Sequence, residues 1–149
     1  MYIPLRAQLS QRLPWFFGPC FEYLAFLYRG CGFSWDGEDP VYPNSLRRVL
    51  FTKGNLEIQV STGAEMELPT LTVTSLRGKR RVLDLEAIAP GPAPANEPGD
   101  YYARYKRVHP LNKEGRAEVD REFEAAAARR IAEFAAFLRE HMDELRRAV

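Results

Sequence analysis

The sequence predicts an α+β fold in which an antiparallel meander of about four strands packs on an apolar N-terminal helix and a long amphipathic C-terminal helix. Three observations support it: an almost wholly apolar helical stretch, a run of segments with alternating apolar and polar residues, and a long stripe of apolar residues at helical spacing. The chain has 149 residues, of which 46% are hydrophobic and 28% are charged. These values are typical of one globular domain, here residues 1–149.

Two helices are predicted in the first thirty residues. Leucines at every fourth position predict a short helix between Ile3 and Leu13, which Pro14 ends. A longer helix is predicted from Gly18-Pro19 to Gly30, where the residues that are not large and apolar form one narrow stripe: Glu22, Ala25 and Arg29. A helix with so little polar surface has to be buried on several sides.

The two cysteines bear on the cellular compartment. If the second helix is continuous, Cys20 and Cys31 lie roughly 16 Å apart along it, which is too far for a disulfide. We therefore expect two reduced, buried thiols and a cytoplasmic protein. No signal peptide is predicted in residues 1–14, and no apolar run is long enough for a membrane span.

The strands are predicted after a turn-rich connection, Asp36 to Ser45. Alternation of apolar and polar residues marks strands at 48–52, 56–61, 70–74 and 82–86, with a hairpin turn at 53–56. One face of this sheet is apolar, and the other carries threonines and carboxylates. We take the polar face as a candidate binding surface, with these residues: Thr70, Thr72, Thr74, Asp84 and Glu86.

The last helix supplies a second candidate surface. A proline-rich linker, residues 89–99, crosses the surface before a helix predicted from 117 to 148. That helix spans roughly 45 Å, whereas a strand of this sheet covers only about 20–23 Å. The sequence therefore predicts that Leu138, Met142 and Leu145 have no cover from the sheet and contact either a second protein or the N-terminal segment.

Residues with catalytic chemistry are few. Asp84 and Glu86 would share one face of a strand, and with His109 they form the alternative hypothesis of a small enzyme. Neither His109 nor His141 has a second ligand at metal spacing, so the sequence predicts no metal site and no cofactor.

Two basic clusters, residues 77–81 and 104–113, raise the further alternative of nucleic-acid binding through the hairpin at 77–81. The formal net charge of +1 argues against nucleic acid as the partner. Whether either cluster binds an anion stays open at this point.

The order of elements resembles a group of small bacterial α+β proteins. The matching stretches are the aromatic helix ending in glycine and phenylalanine, residues 24–33 (LAFLYRGCGF), the paired strands of residues 48–60 (RVLFTKGNLEIQV), and the long final helix. Some members of this group are similar to immunity proteins of polymorphic-toxin systems, which are not enzymes and bind a cognate toxin. The resemblance implies a protein-binding role without assigning residues. We therefore predict a non-enzymatic binding module whose partner is another protein or a second copy of itself, with no role at a membrane.

Overall fold

The computed structural model describes residues 5–38, 46–89 and 91–149, and it confirms the α+β class. In the described residues the elements follow one another in this order: α1 Leu5–Arg12, α2 Pro14–Tyr23, α3 Ala25–Arg29, β1 Ser34–Glu38, β2 Arg47–Lys53, β3 Leu56–Thr62, β4 Thr70–Ser75, β5 Arg81–Val82, α4 Leu85–Ile88, α5 Tyr101–Arg107 and α6 Lys113–Ala148.

The five strands form one antiparallel sheet in the order of the chain. The sheet has one more strand than expected, because β1 lies where a turn-rich connection begins in the prediction. Trp35 in β1 pairs with Phe51 of β2 and continues its apolar face. The rest of that predicted connection, residues 39–45, lies outside the described residues.

One face of the sheet forms the main core. Val49, Phe51, Ile58, Val60 and Val73 point to this side and are at most 1% exposed. They belong to the same buried cluster as the apolar side chains of α2 and of the C-terminal half of α6. The helices α2 and α6 also pack on each other. The helical layer thus covers the apolar face, as the alternation of residues predicts.

The N-terminal helices differ in detail from the prediction. The helix α1 ends before Pro14 as expected, but Pro14 also starts α2, one turn before the predicted cap at Gly18-Pro19. Proline suits this first position because the first amide of a helix has no partner within the helix. The expected continuous helix is interrupted at Leu24, where α3 begins.

Both cysteines are free, as predicted. Cys20 is fully buried in α2, and this burial raises the pKa of its thiol far above the ordinary value. Cys31 is only half-buried, contrary to the prediction. The reason is that α3 ends at Arg29 and the chain leaves the helical layer for β1.

The helix α6 has 36 residues, about 54 Å at the usual rise, and it does extend beyond the sheet. Its N-terminal half is covered by a second cluster in which Phe123 contacts the rings of Trp15 and Tyr101, at centroid distances of 4.9 and 5.5 Å. Ala126 and Ala127 of α6 also belong to that cluster, together with Met66 and the buried Leu68 from the loop between β3 and β4.

The prediction that Leu138, Met142 and Leu145 have no cover from the sheet is therefore wrong. Leu138 and Leu145 are 0% exposed and Met142 is 7% exposed, all within the main core. The helix α6 does overhang the sheet, but the overhanging end is the N-terminal one. These three residues are core rather than a binding surface.

We expect Leu145→Ala to lower the free energy of unfolding by about 2–5 kcal/mol, because it leaves a cavity in a fully buried site. Asp143→Ala, an exposed position in the same turn, should change it by less than about 0.5 kcal/mol. Urea denaturation followed by circular dichroism measures both. If both substitutions have equally small effects on the free energy of unfolding, Leu145 is not core, and the hypothesis that this end of α6 is a protein interface is supported again.

Candidate interaction surface

The face of the sheet opposite the helices is called the platform here. In the register of the strands, three rows of side chains point to it: Glu38, Arg48, Ser61 and Thr70; Asp36, Leu50, Gln59 and Thr72; and Ser34, Thr52, Glu57, Thr74 and Val82. Alternation along each strand puts these residues on the side away from the core.

The middle of the platform is uncharged. Leu50, Gln59 and Thr72 lie side by side on β2, β3 and β4, and all three are half-buried. The adjacent positions of the outer rows, Thr52 and Thr70, are also half-buried and uncharged. The centre of the platform is therefore a small surface of aliphatic, amide and hydroxyl groups.

The charges of the platform lie at its margins, and all but Asp36 on the edge strand β1 are paired. Arg48 Nε donates to Glu38 Oε2 at 2.7 Å, and its Nη2 donates to Glu38 Oε1 at 3.1 Å. At the opposite margin, Arg80 from the turn before β5 donates to Glu57 and covers it, so that Glu57 is only 8% exposed. Two-point contact between a guanidinium and a carboxylate fixes the orientation of both groups.

The Arg48 contact also changes the acidity of its partner. The hydrogen bond from Arg48, and secondarily its positive charge, lower the pKa of Glu38, and the carboxylate in turn raises the pKa of Arg48. Because both side chains remain more than a third exposed, solvent screens the pair and its effect on stability is small.

The three predicted threonines do point to the platform, but they differ in availability. The Thr70 hydroxyl shares a hydrogen bond with the Ser61 hydroxyl at 3.0 Å. Thr74 is only 2% exposed, because it lies between Glu57 on one neighbouring strand and Val82 on the other. Thr72, in the middle row, is half-buried, and its hydroxyl makes no hydrogen bond with the described residues. Of the three threonines, it is therefore the one whose side chain is available to a partner.

The prediction that Asp84 and Glu86 share a strand face is wrong. The strand β5 ends at Val82, and Asp84 is the N-cap of α4, where its Oδ1 accepts from the amides of Glu86 and Ala87 at 3.1 and 3.4 Å. An aspartate followed by Leu-Glu-Ala favours this cap, because a carboxylate satisfies amides that lack partners in the first turn.

A groove nevertheless brings three of the predicted residues together. Thr72, Asp84 and Glu86 line an open groove of about 500 Å³ between the outer edge of β4 and the linker. The linker is fixed there by Asn96, whose side chain accepts from the amide of Leu71 at 2.8 Å and donates to its carbonyl at 3.0 Å. The groove adjoins the platform through Thr72 and Val82.

The side chains of the enzyme alternative are not assembled. His109 does not line the groove; it lies between α5 and α6, where its Nδ1 accepts from the amide of Leu111 at 3.1 Å. His141 is buried against Phe137 in α6. Over residues 5–38, 46–89 and 91–149, no three side chains of the metal-binding types come together as a metal site.

The basic and aromatic stretch after the linker is occupied by internal contacts. Arg104, Lys106 and Arg116 lie over the rings of Tyr101, Tyr102 and Tyr105, respectively, at 4.4–5.2 Å from the centroids. Arg104 is also paired with Glu122. Rings that already hold cations of the same chain present fewer free faces on which bases can stack.

Residues that sequence reasoning missed include Arg130 and Asn96. Arg130 is 7% exposed and donates from Nη2 to Glu97 Oε1 at 2.9 Å and from Nη1 to the carbonyls of Glu97 and Pro69. It therefore ties the linker and the start of β4 to α6. The sequence does show an arginine on the otherwise apolar side of α6, which indicates a buried charge with a partner. Its partners could not be identified because they are remote in sequence.

Comparison with known proteins adds no relative: no family model, curated protein or solved structure matches the chain. The helices of the described residues also include none with the length and apolarity needed to cross a membrane.

We expect Arg48→Met to raise the pKa of Glu38 toward its ordinary value, because it removes the hydrogen bond that lowers it. The pair contributes stability above the pKa of the unfolded chain, and that contribution is lost as the pH falls through the lower folded-state pKa. Titration of the Glu38 carboxyl carbon by NMR measures the shift. Arg107→Met, a remote exposed position, is the control; an unchanged Glu38 pKa in Arg48→Met would contradict the assignment.

Proposed function

We propose that this protein is a non-enzymatic protein-binding module that uses the platform to contact its partner. The observation that carries the proposal is the arrangement of charge on that face. Its centre, at Leu50, Gln59 and Thr72, is uncharged and half-buried, whereas its charged residues lie at the margins and, apart from Asp36 on the edge strand, are paired.

This arrangement suits association with another folded protein. The centres of protein interfaces are depleted of charge, while their rims are polar and hydrated. Burying Leu50 or Thr72 under a partner removes no ion from water, so the desolvation cost is low. The Glu38–Arg48 pair at the margin can stay hydrated when the centre is covered.

The size of the platform limits how much of an interface it can supply. Five strands at about 4.8 Å spacing and six residues of length give a face of roughly 400 Å². A stable interface takes about 800 Å² from each partner. A partner of ordinary affinity therefore extends over an edge of the sheet as well.

The proposal includes a class of partner and a compartment. The resemblance to immunity proteins of polymorphic-toxin systems suggests a toxin protein of bacterial origin as the partner, with a second copy of this chain as the alternative. The two free thiols support a cytoplasmic location.

The test introduces a charge into the centre of the platform. We expect Gln59→Arg and Thr72→Arg each to weaken partner binding at least about 100-fold, because an unpaired guanidinium would be buried at the contact. Ala136→Arg adds the same side chain at an exposed position of α6 and should leave affinity within about twofold, as expected for a residue outside the contact.

The partner is obtained by capture on the immobilised protein and is then purified and titrated calorimetrically against each variant. Light scattering of the unmodified chain tests the second-copy alternative. Loss of binding in Ala136→Arg, together with retention in both platform variants, would refute the platform as the contact. Circular dichroism establishes that each variant is folded.

A further inference from the structure

Two basic segments that are distant in sequence meet at one end of the molecule. The first is the turn and strand after β4, and the second is the last turn of α6. The Arg81 Nη2 donates to the carbonyl of Ala148 at 3.3 Å and so joins them. We call the resulting cluster the basic corner; it consists of Arg77, Lys79, Arg80, Arg81, Arg146 and Arg147.

Most charges of the basic corner are not neutralised. All six residues are exposed, and Arg80 is paired with Glu57. Among the described residues, no carboxylate lies within 4 Å of Arg77, Lys79, Arg146 or Arg147. The nearest acidic positions on the same helix are Asp143 and Glu144, too few to balance the corner.

The segregation is notable because the chain as a whole is nearly neutral, with 21 basic and 20 acidic residues. Elsewhere, Arg48, Arg104 and Arg130 are each paired with a carboxylate. Like charges held together without counter-charges repel one another, and an anionic partner relieves that repulsion.

The basic corner is continuous with the platform. Val82 pairs with Thr74 and points to the platform side, where it is 66% exposed, whereas Arg81 pairs with Ser75 and points to the helical side. Arg80 reaches the platform through Glu57. A partner that covers the platform and extends over this edge of the sheet therefore meets the basic corner next.

We infer that the partner is a protein that places an acidic segment on the basic corner while its body covers the platform. This inference rests on the proposed function and adds the chemistry of the partner. It also supplies the contact area that the platform alone lacks. Unpaired surface charges of one sign raise the rate of association with an oppositely charged partner and fix its orientation.

A protein fits this surface better than a nucleic acid does. None of the six residues is aromatic, so the corner offers no ring for base stacking. The exposed Val82 beside it favours apolar contact, and the uncharged centre of the platform offers nothing to phosphates. A duplex would need a longer track of cations than this corner provides.

The test compares two sets of substitutions that remove the same charge. The corner variant carries Arg77→Gln, Lys79→Gln, Arg146→Gln and Arg147→Gln. The control carries Arg107→Gln, Lys113→Gln, Arg121→Gln and Arg129→Gln, which are exposed and, among the described residues, also unpaired. Glutamine is unbranched, polar and close to arginine and lysine in helix propensity, so both variants should stay folded.

Three probes are titrated at low and at physiological salt: the captured partner, a fluorescein-labelled glutamate-rich peptide, and labelled single- and double-stranded DNA. We expect the corner variant to weaken binding of the partner and of the peptide at least about tenfold, with the wild-type affinity falling as salt is added. The control should remain within about twofold for both, because its charges lie outside the contact.

Equal affinities of the corner and control variants would overturn the inference. If Gln59→Arg still abolishes partner binding in that case, the platform remains the contact and only the acidic segment is refuted. DNA binding that is tighter than peptide binding at physiological salt and is lost in the corner variant would also overturn it, in favour of a nucleic-acid site. If Gln59→Arg and the corner variant both retain partner binding, both proposals are refuted.

Discussion

The helix α2 has to be buried on several sides at once, and the arrangement of the other elements follows from this requirement. Phe16, Phe17 and Cys20 are 0% exposed in α2, and each large side chain that leaves water contributes about 1.5–3 kcal/mol. A sheet covers only one side of such a helix. The remaining sides are covered by α1 and α6, both of which pack on α2. The apolar faces of β2, β3 and β4 are then committed to this core, and the opposite face is left for other uses.

The second constraint is the position of the linker. Its prolines prevent it from pairing as a strand, so β4 would lack a neighbour along much of its outer edge. The side chain of Asn96 supplies one donor and one acceptor to Leu71 there, as a neighbouring strand would. The buried guanidinium of Arg130 holds the adjacent Glu97 and offsets its own desolvation through these contacts. Because of this fixation, the groove beside Thr72 is a defined feature of the surface.

Local patterns were enough to predict most of the fold but little of the site. Alternation identified β2, β3 and β4, and apolar spacing identified α6, because both patterns depend on residues close in sequence. The predicted strand over residues 82–86 was wrong because the Asp84 side chain accepts hydrogen bonds from amides of its own turn and so caps a helix. An aspartate at this position fits an alternating strand equally well, so the pattern alone could not decide. The burial of Leu145 was missed because the length of a helix does not reveal which of its ends is covered. Neither the Arg81–Ala148 contact nor the Arg130–Glu97 pair could be predicted, since each joins residues that only the tertiary fold brings together.

Under the proposed function, stability and recognition depend on opposite sides of one sheet. On the helical side, nearly all the contacts are apolar and internal, and substitutions such as those at Leu145 act on folding. On the platform, Arg48 and Arg80 are held by carboxylates and leave an uncharged centre, so a partner can cover it without separating an ion pair. The basic corner differs because, apart from Arg80, its cations have no carboxylate partner among the described residues. The same sheet thus presents a neutral surface and, at one edge, unpaired positive charge. In the proposed function, the first makes close contact with the partner and the second orients it.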